Sequence, residues 1–354
     1  MNIEECRTFL NKPFMVDSLK VPNRLVLAPM AGITDVPFRC LAKRFGAGLV
    51  VTEMISAQAV VFKNKKTLKM AKPDASEHPV AIQLFGHNPA IMAEAAVEME
   101  GLGADIIDIN MGCPQRKIVK AGSGSALMKQ PALAAEIVSS IKDKVNVPVS
   151  VKIRLGWDDS SKNYIEFAKL MAEAGVSMVV VHGRTRAQMF SGQADWKAIR
   201  EVKEAVNIPV LANGDIINLE SAFECLKISK ADAIMIGRGS LGRPWIFTEM
   251  LKENDVSAQE KLKAIQDHLF MLTDYYGPKI GALLAKKHIC WYSQGLRYGA
   301  KFRQEVNQLH EFDVLKDCAL SFFKRAFSQS EPHSLSISMS SSSDSSSSSF
   351  TLSS

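Results

Sequence analysis

Residues 209–240, PVLANGDIINLESAFECLKISKADAIMIGRGS, contain two short apolar runs separated by a helical segment. The runs Pro209–Asn213 and Ala233–Gly237 are continuous and do not alternate with polar residues, which is typical of strands buried on both faces of a parallel sheet. Asn218 stands where it can cap the intervening helix. The stretch therefore predicts a βαβ unit, and each of its strands is followed by a Gly-rich turn.

The rest of the chain repeats this pattern. Six earlier runs of the same kind are Arg24–Pro29, Gly48–Met54, Val80–Phe85, Ile106–Asn110, Pro148–Ile153 and Met178–His182. A spacing of roughly thirty residues fits successive βαβ units. An open doubly wound sheet would have a G-x-G-x-x-G fingerprint after its first strand, and LAPMAGITD does not match it. Eight runs alternating with helices favour an α/β fold, a (β/α)8 TIM barrel.

The strand pattern stops after Gly242-Arg243-Pro244. Ser257 and Glu260 form a capping-box sequence, and a helical pattern continues from there to about residue 327. The remaining residues are mostly serine and cannot bury enough apolar surface to fold. We therefore predict a barrel domain over 1–250, a small all-helical domain over 251–327 and a disordered Ser-rich tail over 328–354.

Composition sets limits on the class of protein. The chain has 354 residues, 47% hydrophobic and 23% charged, which indicates a soluble globular protein, and its net charge of +6 leans toward an anionic partner. The six cysteines show no C-x-x-C pair or zinc spacing, so neither a metal site nor a disulfide framework is predicted. We find no signal peptide and no membrane-spanning apolar run, and we expect a cytoplasmic location.

Polar residues follow the predicted strands at their carboxyl ends, where barrels of this type place the active site. They are Gln83, Asn110, Cys113, Lys152, Arg154, His182, Arg184, Asn213, Asp215 and Arg238. The turns ANGDI and IGRGS follow the last two strands, where backbone N–H groups often bind phosphate. They indicate a phosphorylated cofactor or substrate, although tight βα turns would have the same glycines.

Three of these residues are open to more than one interpretation. Lys152 and Gln83 stand inside strands, where they could face a planar cofactor or could pair with other inward-pointing polar groups. His182 could be a general acid, a phosphate partner or a core histidine.

Cys113 lies on the loop after the fourth strand, between Gly112 and Pro114. Glycine lets the chain turn there, and proline prevents the strand from continuing. Cys113 is a candidate catalytic thiol, and the alternative is a small buried apolar residue. The loop that follows, QRKIVKAGSGSAL, is basic and Gly-rich, which suits an anionic substrate.

Six motifs in order resemble those of the tRNA-dihydrouridine synthases, with the bacterial B-type branch the most similar. They are APMAGITD, IDINMGCP followed by Gly124-Ser125, VKIRLGW, HGRTR, ANGDI and MIGRGSLGRPWIF. The resemblance covers roughly residues 23–327. It implies a barrel that carries FMN, NADPH as the reductant, hydride transfer to C6 of a uridine in tRNA, and a helical domain that helps to hold the tRNA.

The resemblance also implies roles for individual residues. Cys113 would donate the proton to C5, Asn110 would hydrogen-bond the uracil edge, and Arg184 would lie near the substrate. Lys152 near the flavin ring would favour its negative charge after reduction. The residues implied for FMN are Pro29, Met30, Ala31, Gln83, Lys152, His182, Asn213, Gly214, Asp215, Gly237 and Arg238.

The helical domain contains a basic, aromatic stretch. Residues 278–303 include six Lys and Arg residues and no Asp or Glu, and Trp291, Tyr292, Tyr298 and Phe302 are interspersed among them. At helical spacing Lys279, Lys286 and Arg297 would share one face. We expect Lys286, Lys287 and Arg297 to contact tRNA phosphates. The alternative is a solvated basic helix whose aromatic residues lie in the core.

Two other functions remain open on the sequence alone. An FMN barrel acting on a free pyrimidine, such as a dihydroorotate or dihydropyrimidine dehydrogenase, would share the cofactor site without needing the basic helices. A non-catalytic RNA-binding protein could keep the barrel as a scaffold, and it would carry no flavin absorbance. No protein partner is implied.

Overall fold

The computed structural model describes residues 2–328, so the predicted Ser-rich tail lies outside the described residues apart from Ser328, which ends the last helix. The chain begins with helix α1 (Ile3–Asn11) and a hairpin of two three-residue strands, β1 (Phe14–Val16) and β2 (Leu19–Val21). The sequence pattern did not predict the hairpin. Phe14, Val16 and Val21 pack against the inward-facing apolar side chains of the barrel.

The central sheet is parallel and closes on itself. Its strands are β3 (Leu25–Leu27), β4 (Leu49–Val51), β5 (Ile55–Ser56), β6 (Val80–Phe85), β7 (Ile106–Asn110), β8 (Val149–Ile153), β9 (Met178–His182), β10 (Val210–Asn213) and β11 (Ala233–Ile236). β3 pairs with β4, and both β4 and β5 pair with β6. From β6 to β11 each strand pairs with the next, and β11 pairs with β3. Apart from the short β5, eight strands form the barrel, which confirms the predicted (β/α)8 fold.

The second predicted strand, Gly48–Met54, is interrupted. Only Leu49–Val51 belongs to β4, and the chain pairs with β6 again as β5. At the break the Thr52 hydroxyl accepts a hydrogen bond from the Gln83 backbone N–H (3.0 Å). A side-chain oxygen thus replaces the backbone partner that a continuous strand would have supplied. The first strand is also shorter than predicted, three residues instead of six.

Helices surround the barrel, and most of them pack apolar side chains against the outer side of the strands. They are α2 (Val36–Arg44), α3 (Ala57–Val61), α4 (Lys65–Ala71), α5 (Pro89–Gly101), α6 (Arg116–Lys120), α7 (Pro131–Lys142), α8 (Tyr164–Glu173), α9 (Trp196–Ala205), α10 (Leu219–Ser229) and α11 (Ile246–Leu251). Asn88, Asp195 and Asn218 cap α5, α9 and α10 through their side chains.

Four helices make up the region after the barrel: α12 (Ala258–Tyr276), α13 (Pro278–Tyr292), α14 (Gly299–Gln308) and α15 (Phe312–Ser328). Gly281 lets α12 and α13 approach closely, since a Cβ there would lie 2.7 Å from Thr273 Cα. The apolar cluster of this region includes Leu41, Phe45 and Trp245 from the barrel side. The helical region therefore shares a core with α2.

Helix α2 is tied by a buried ion pair to the short turn Ala75–Glu77 that precedes β6. Arg39 Nε donates to Glu77 Oε2 (2.6 Å), and both side chains are inaccessible to solvent. A second Arg39 nitrogen, Nη1, donates to the Thr34 carbonyl oxygen (2.7 Å). Arg39 therefore fixes both the start of α2 and the loop that follows β3.

Replacing Arg39 with Met should destabilise the fold by about 3–5 kcal/mol, because Glu77 would remain as a buried carboxylate without its cation. Urea unfolding followed by circular dichroism measures the change. The control is the double variant Arg39→Met/Glu77→Gln, which removes both charges and should recover part of the stability. A single variant as stable as the wild type would show that Glu77 is not held as a buried anion.

Candidate active site at the carboxyl end of the barrel

A buried polar layer crosses three neighbouring strands near the carboxyl end of the barrel. Gln83, Asp108 and Ser150 are direct register partners on β6, β7 and β8. Gln83 Nε2 donates to Asp108 Oδ2 (2.7 Å), and Ser150 Oγ donates to Asp108 Oδ1 (2.6 Å). Burial raises the pKa of Asp108 to about 6, and these two hydrogen bonds oppose the rise. Asp108 thus remains mostly ionised at neutral pH and orders its two neighbours.

Asn110 connects this layer to the loop that carries the thiol. It lies two residues beyond Asp108 on β7 and so faces the same side. Its Nδ2 donates to Gln83 Oε1 (2.9 Å), and its Oδ1 accepts the backbone N–H groups of Cys113 (2.8 Å) and Gly112 (3.2 Å). The predicted contact with a uracil edge would have to use the second Nδ2 hydrogen, which faces the sulfur of Met54 (3.8 Å).

The backbone of Cys113 is held from the other side as well. The N–H and hydroxyl of Ser125 both donate to the Cys113 carbonyl oxygen, at 3.1 and 3.0 Å. A Cβ on Gly124, which has φ +62°, would lie 2.8 Å from that oxygen, so only glycine fits without displacement. Gly124 and Ser125 therefore help to fix the position of the Cys113 backbone.

The thiol itself is half-buried and forms no disulfide. Burial raises the pKa of Cys113, and the nearby cations Arg154 and Lys152 oppose the rise. A thiol with a pKa above its usual value is protonated at neutral pH, so Cys113 can act as an acid.

Lys152 lies at the carboxyl end of β8, next to Asn110 in register. Its Nζ donates to Asn213 Oδ1 (2.9 Å), and Asn213 Nδ2 donates to the Met235 carbonyl oxygen (2.8 Å). Burial, followed by repulsion from Arg154, lowers the pKa of Lys152 to about 7. The ammonium is therefore placed where a neighbouring anion would stabilise its charge.

Four cationic side chains surround His182: Lys152, Arg154, Arg184 and Arg238. Burial and these charges hold the pKa of His182 far below its usual value, so the imidazole is neutral. Asp215 is the carboxylate that pairs with two of the cations, with Oδ2 2.6 Å from Arg184 Nη2 and Oδ1 3.1 Å from Arg238 Nη2.

Arg184 and Arg238 differ in access to solvent. The Arg184 residue is 1% exposed. Its Nε donates to the Ser191 carbonyl oxygen (3.0 Å), and its Nη2, which also pairs with Asp215, donates to the Gly192 carbonyl oxygen (2.6 Å). Its Nη1 lies 3.4 Å from His182 Nε2. The predicted contact between Arg184 and substrate remains a prediction; what the structure places around Arg184 is Asp215 and the loop after β9. The Arg238 side chain is 51% exposed beside the same carboxylate. Of the two arginines, Arg238 is therefore the one that an anionic ligand can reach.

The turns after the last strands approach one another too closely for larger residues. A Cβ on Gly214 would lie 2.7 Å from Ala194 Cβ, and one on Gly239 would lie 2.4 Å from the Ile216 carbonyl oxygen. Gly214 and Gly239 are thus required by loop packing, whereas a Cβ on Gly237 would lie at an ordinary contact distance, 3.6 Å, from Ala28 Cβ. The same packing brings backbone and the Arg238 guanidinium to one place, so a phosphate site is compatible with it.

The loop after β3 forms the remaining part of the edge of the barrel opening. Pro29 and Met30 are partly buried and Ala31 is exposed, and a Cβ on Gly237 would meet Met30 Sδ at 3.8 Å. The residues expected to contact FMN therefore lie around one opening, contributed by β3, β6, β8, β9, β10 and β11.

The three cations expected to bind tRNA do not form one group. Lys286 and Lys287 lie on α13, but α13 ends at Tyr292, so Arg297 stands in the turn before α14. The prediction that Lys279, Lys286 and Arg297 share one helical face was wrong, because the chain turns after Ser293 instead of continuing as a helix. Of the interspersed aromatic residues, Tyr292 and Phe302 are buried and Tyr298 is 66% exposed.

Several residues of the site were not assigned a role from the sequence. Asp108 precedes Asn110 by two residues, and strand alternation could have placed it on the same inward side. Arg154 Nε donates to the Gly112 carbonyl oxygen (2.9 Å), and its Nη1 donates to the carbonyl oxygens of Thr185 and Met189. Phe190 is 50% exposed, with Arg238 5.1 Å from its ring centroid, and no periodicity in the loop sequence marks it.

The residues present fit an anionic flavin nucleotide. The four cationic side chains around His182 outnumber the carboxylates of Asp108 and Asp215, and the exposed Arg238 lies beside the two glycine turns. Lys152 and the neutral His182 lie deeper, near the polar layer. Among residues 2–328, no helix combines the length and apolar character needed to cross a membrane.

Comparison with known proteins gives a consistent result. The family model "Dihydrouridine synthase (Dus)" matches residues 26–328. A "Probable tRNA-dihydrouridine synthase" of Rickettsia conorii is 45% identical over 318 residues, covering 87% of this chain and 96% of the relative. A "tRNA-dihydrouridine synthase B" of Pseudomonas aeruginosa is 42% identical over 310 residues, covering 86% of this chain and 93% of the relative.

Solved structures with a similar fold include the histamine dehydrogenase from Rhizobium sp. 4-9, with a TM-score of 0.56 at 14% identity, covering 75% of this chain and 51% of that one. Morphinone reductase has a TM-score of 0.52 at 12% identity, covering 68% of this chain and 88% of that one. These likenesses concern the barrel fold. The extent of the family match and the identity to the curated relatives show that the chain belongs to the dihydrouridine synthase family of enzymes.

Proposed function

We propose that this chain is a tRNA-dihydrouridine synthase that reduces the C5–C6 double bond of a uridine in tRNA, with FMN as cofactor, NADPH as reductant and Cys113 as the proton donor to C5. One observation carries the proposal beyond family membership. A protonated, half-buried thiol is fixed by its backbone to Asn110, and the register neighbour of Asn110 on the next strand is the cationic Lys152.

FMN, when bound, would supply the two-electron reduction. The exposed Arg238 and the turns containing Gly214, Gly237 and Gly239 would hold its phosphate. Lys152, Gln83 and Asn213 would face its ring, and Lys152 would favour negative charge there. Pro29, Met30 and Ala31 would line the ring from the rim, and His182 would accept a hydrogen bond as a neutral imidazole. Asp215 would act through the two arginines that it holds.

Cys113 has two opposing requirements as an acid. Its thiol must be protonated before the reaction, and burial provides this by raising the pKa. Once the S–H bond breaks and the proton forms the new C5–H bond, the sulfur becomes a thiolate, which Arg154 and Lys152 would stabilise. Solvent would then return the proton.

The substrate must expose an unpaired uracil to reach the opening of the barrel. Loop nucleotides are easier to turn outward than paired ones. Outside the barrel, Arg297 and Tyr298 offer a cation over an exposed ring, with the guanidinium carbon 4.9 Å from the ring centroid. Lys301 and Arg325 lie beside them along a cavity of about 800 Å³ between α14 and α15. Such a surface suits an RNA backbone with an occasional stacked base.

The test of the proposed function is mass spectrometry of tRNA after incubation with the protein, FMN and NADPH. A gain of two hydrogens at a uridine is expected. Reduction of free uracil or orotate without any change in tRNA would instead favour a free-pyrimidine dehydrogenase. A purified protein that neither contains nor binds flavin would leave a non-catalytic RNA-binding barrel.

Replacing Cys113 with Ala should leave flavin binding and reduction by NADPH intact and slow only the step that uses tRNA. Loss of a positioned general acid typically lowers the rate by about 10²–10⁴-fold. Single-turnover reoxidation of pre-reduced protein by tRNA measures it. Cys290→Ala, which removes another half-buried free thiol, is the control and should react normally. Normal reoxidation in Cys113→Ala would exclude the acid role.

Binding of reduced FMN at about pH 8 should take up roughly one proton, because Lys152 is largely neutral there without an anion and becomes charged beside the negative ring of the reduced flavin. The sign follows from the lowered pKa of Lys152, about 7 in the absence of a ligand, which a bound anion would raise. Isothermal titration calorimetry in buffers of different ionisation enthalpy counts the protons. Lys152→Met should abolish the uptake, and an unchanged uptake would place the titrating group elsewhere.

The double variant Arg297→Ala/Lys301→Ala should weaken tRNA binding and reduce its dependence on salt, because fewer phosphate counterions are released. Filter binding across a range of salt concentrations measures both effects, and FMN content should not change. The matched control is Lys144→Ala/Lys169→Ala, which removes two exposed lysines from other parts of the barrel surface. Equal losses in both double variants would indicate a general charge effect and no specific site.

A further inference from the structure

The loop Met30–Asp35 at the mouth of the barrel forms a tight turn between β3 and α2. The N–H groups of Ile33 and Thr34 both donate to the Met30 carbonyl oxygen at 3.0 Å, and the Met30 N–H donates to Thr34 Oγ1 (2.9 Å). Asp35 ends the loop and caps α2 by accepting the Phe38 N–H (3.1 Å). These bonds give the turn its shape, but they do not tie it to the rest of the molecule.

The peptide groups of Gly32 are bonded to two different parts of the chain. Its N–H donates to the carboxylate of Glu53, which follows β4 inside the barrel. Its carbonyl oxygen accepts a hydrogen bond from Lys287 Nζ, which comes from α13 of the helical region. The tip of the loop is thus held from the barrel on one side and from the helical region on the other.

Lys287 lies close enough to two carboxylates, one at the end of this loop and one after β4, to interact with them electrostatically. The carboxylates of Asp35 and Glu53 both favour its charge, against the effect of burial, which lowers the pKa of Lys287. Burial raises the pKa of Asp35 to about 6, and a hydrogen bond from the hydroxyl of Tyr276, the last residue of α12, is one of the contacts that oppose the rise. Two acidic residues of the barrel therefore meet one cation and one phenol of the helical region.

Lys286, the adjacent residue, points to a different part of the molecule. Its Nζ donates to the carbonyl oxygen of Asn307 near the end of α14 (3.1 Å). The two lysines are alike in charge, sequence neighbourhood and helix, and they differ in whether they reach the barrel. Lys286 is therefore a matched control for Lys287.

We propose that Lys287, assisted by Tyr276, is a positioning residue that holds the loop Met30–Asp35 at the barrel mouth, so that the helical region helps to build the flavin site. This replaces the expectation that Lys287 contacts tRNA phosphates. The part that concerns FMN rests on the proposed function, since Met30 and Ala31 are cofactor residues only if FMN binds there. The ordering of the loop does not depend on it.

The first measurement is hydrogen exchange followed by mass spectrometry on the full chain without FMN. Loss of a hydrogen bond to a charged group should raise exchange in the peptide covering residues 30–35 by roughly tenfold to a hundredfold in Lys287→Met. Lys287→Arg should restore protection in part, Tyr276→Phe should give a smaller rise, and Lys286→Met should leave the peptide as in the wild type.

The second measurement is FMN dissociation and tRNA affinity on the FMN-loaded protein. Lys287→Met should release FMN roughly tenfold faster while tRNA affinity stays within about threefold of the wild type. Unchanged exchange and FMN release together with lost tRNA affinity would overturn the proposal and return Lys287 to the tRNA surface. So would faster exchange in every barrel peptide, since it would reduce Lys287 to a general contributor to stability.

The two measurements also separate this inference from the proposed function. If the wild-type protein bound no FMN, the proposed function would fail. Hydrogen exchange would still show whether Lys287 orders the loop.

Discussion

The buried carboxylate of Asp108 is the group on which the arrangement of the site depends. It lies in the barrel interior, where polar groups without partners are strongly destabilising, and it orients Gln83 and Ser150 through short hydrogen bonds. Gln83 in turn orients Asn110, whose side-chain oxygen holds the backbone of Cys113. The Cys113 backbone is therefore positioned, through Gln83 and Asn110, by Asp108, which lies two residues before Asn110 on β7.

Charge is distributed around this chain of hydrogen bonds in a way that suits proton transfer next to an anion. Burial keeps Cys113 protonated and His182 neutral, while Arg154 and Lys152 remain close enough to stabilise a thiolate. Asp215 holds two further arginines and leaves one of them accessible. An anionic ligand and a neutral acid can thus occupy neighbouring parts of one site without either disturbing the protonation of the other.

The sequence was sufficient to predict the barrel and the end of the barrel at which the candidate site lies. Buried parallel strands appear in it as continuous apolar runs, and the polar residues lie near the carboxyl ends of those runs. It was insufficient where tertiary contacts decide. Nothing in Thr52 shows that its hydroxyl replaces a strand partner, and the hairpin strands are too short to give a pattern. Helical spacing grouped Lys279, Lys286 and Arg297 on one face, but the turn after Ser293 removed Arg297 from that helix. Nothing in the sequence marked the loop that Lys287 contacts.

Helix α2 contributes Leu41 and Phe45 to the apolar cluster of α12–α15, so the two parts of the molecule are joined through a common interior and not only through a linker. The barrel and the helical region are therefore not independent units that could be exchanged separately. A helical region from another protein could be grafted onto this barrel only if it reproduced the face that covers α2, and a barrel taken alone would present those side chains to water. Substitutions on either side of α2 are consequently constrained together, so the catalytic barrel and its helical region are expected to evolve as one unit.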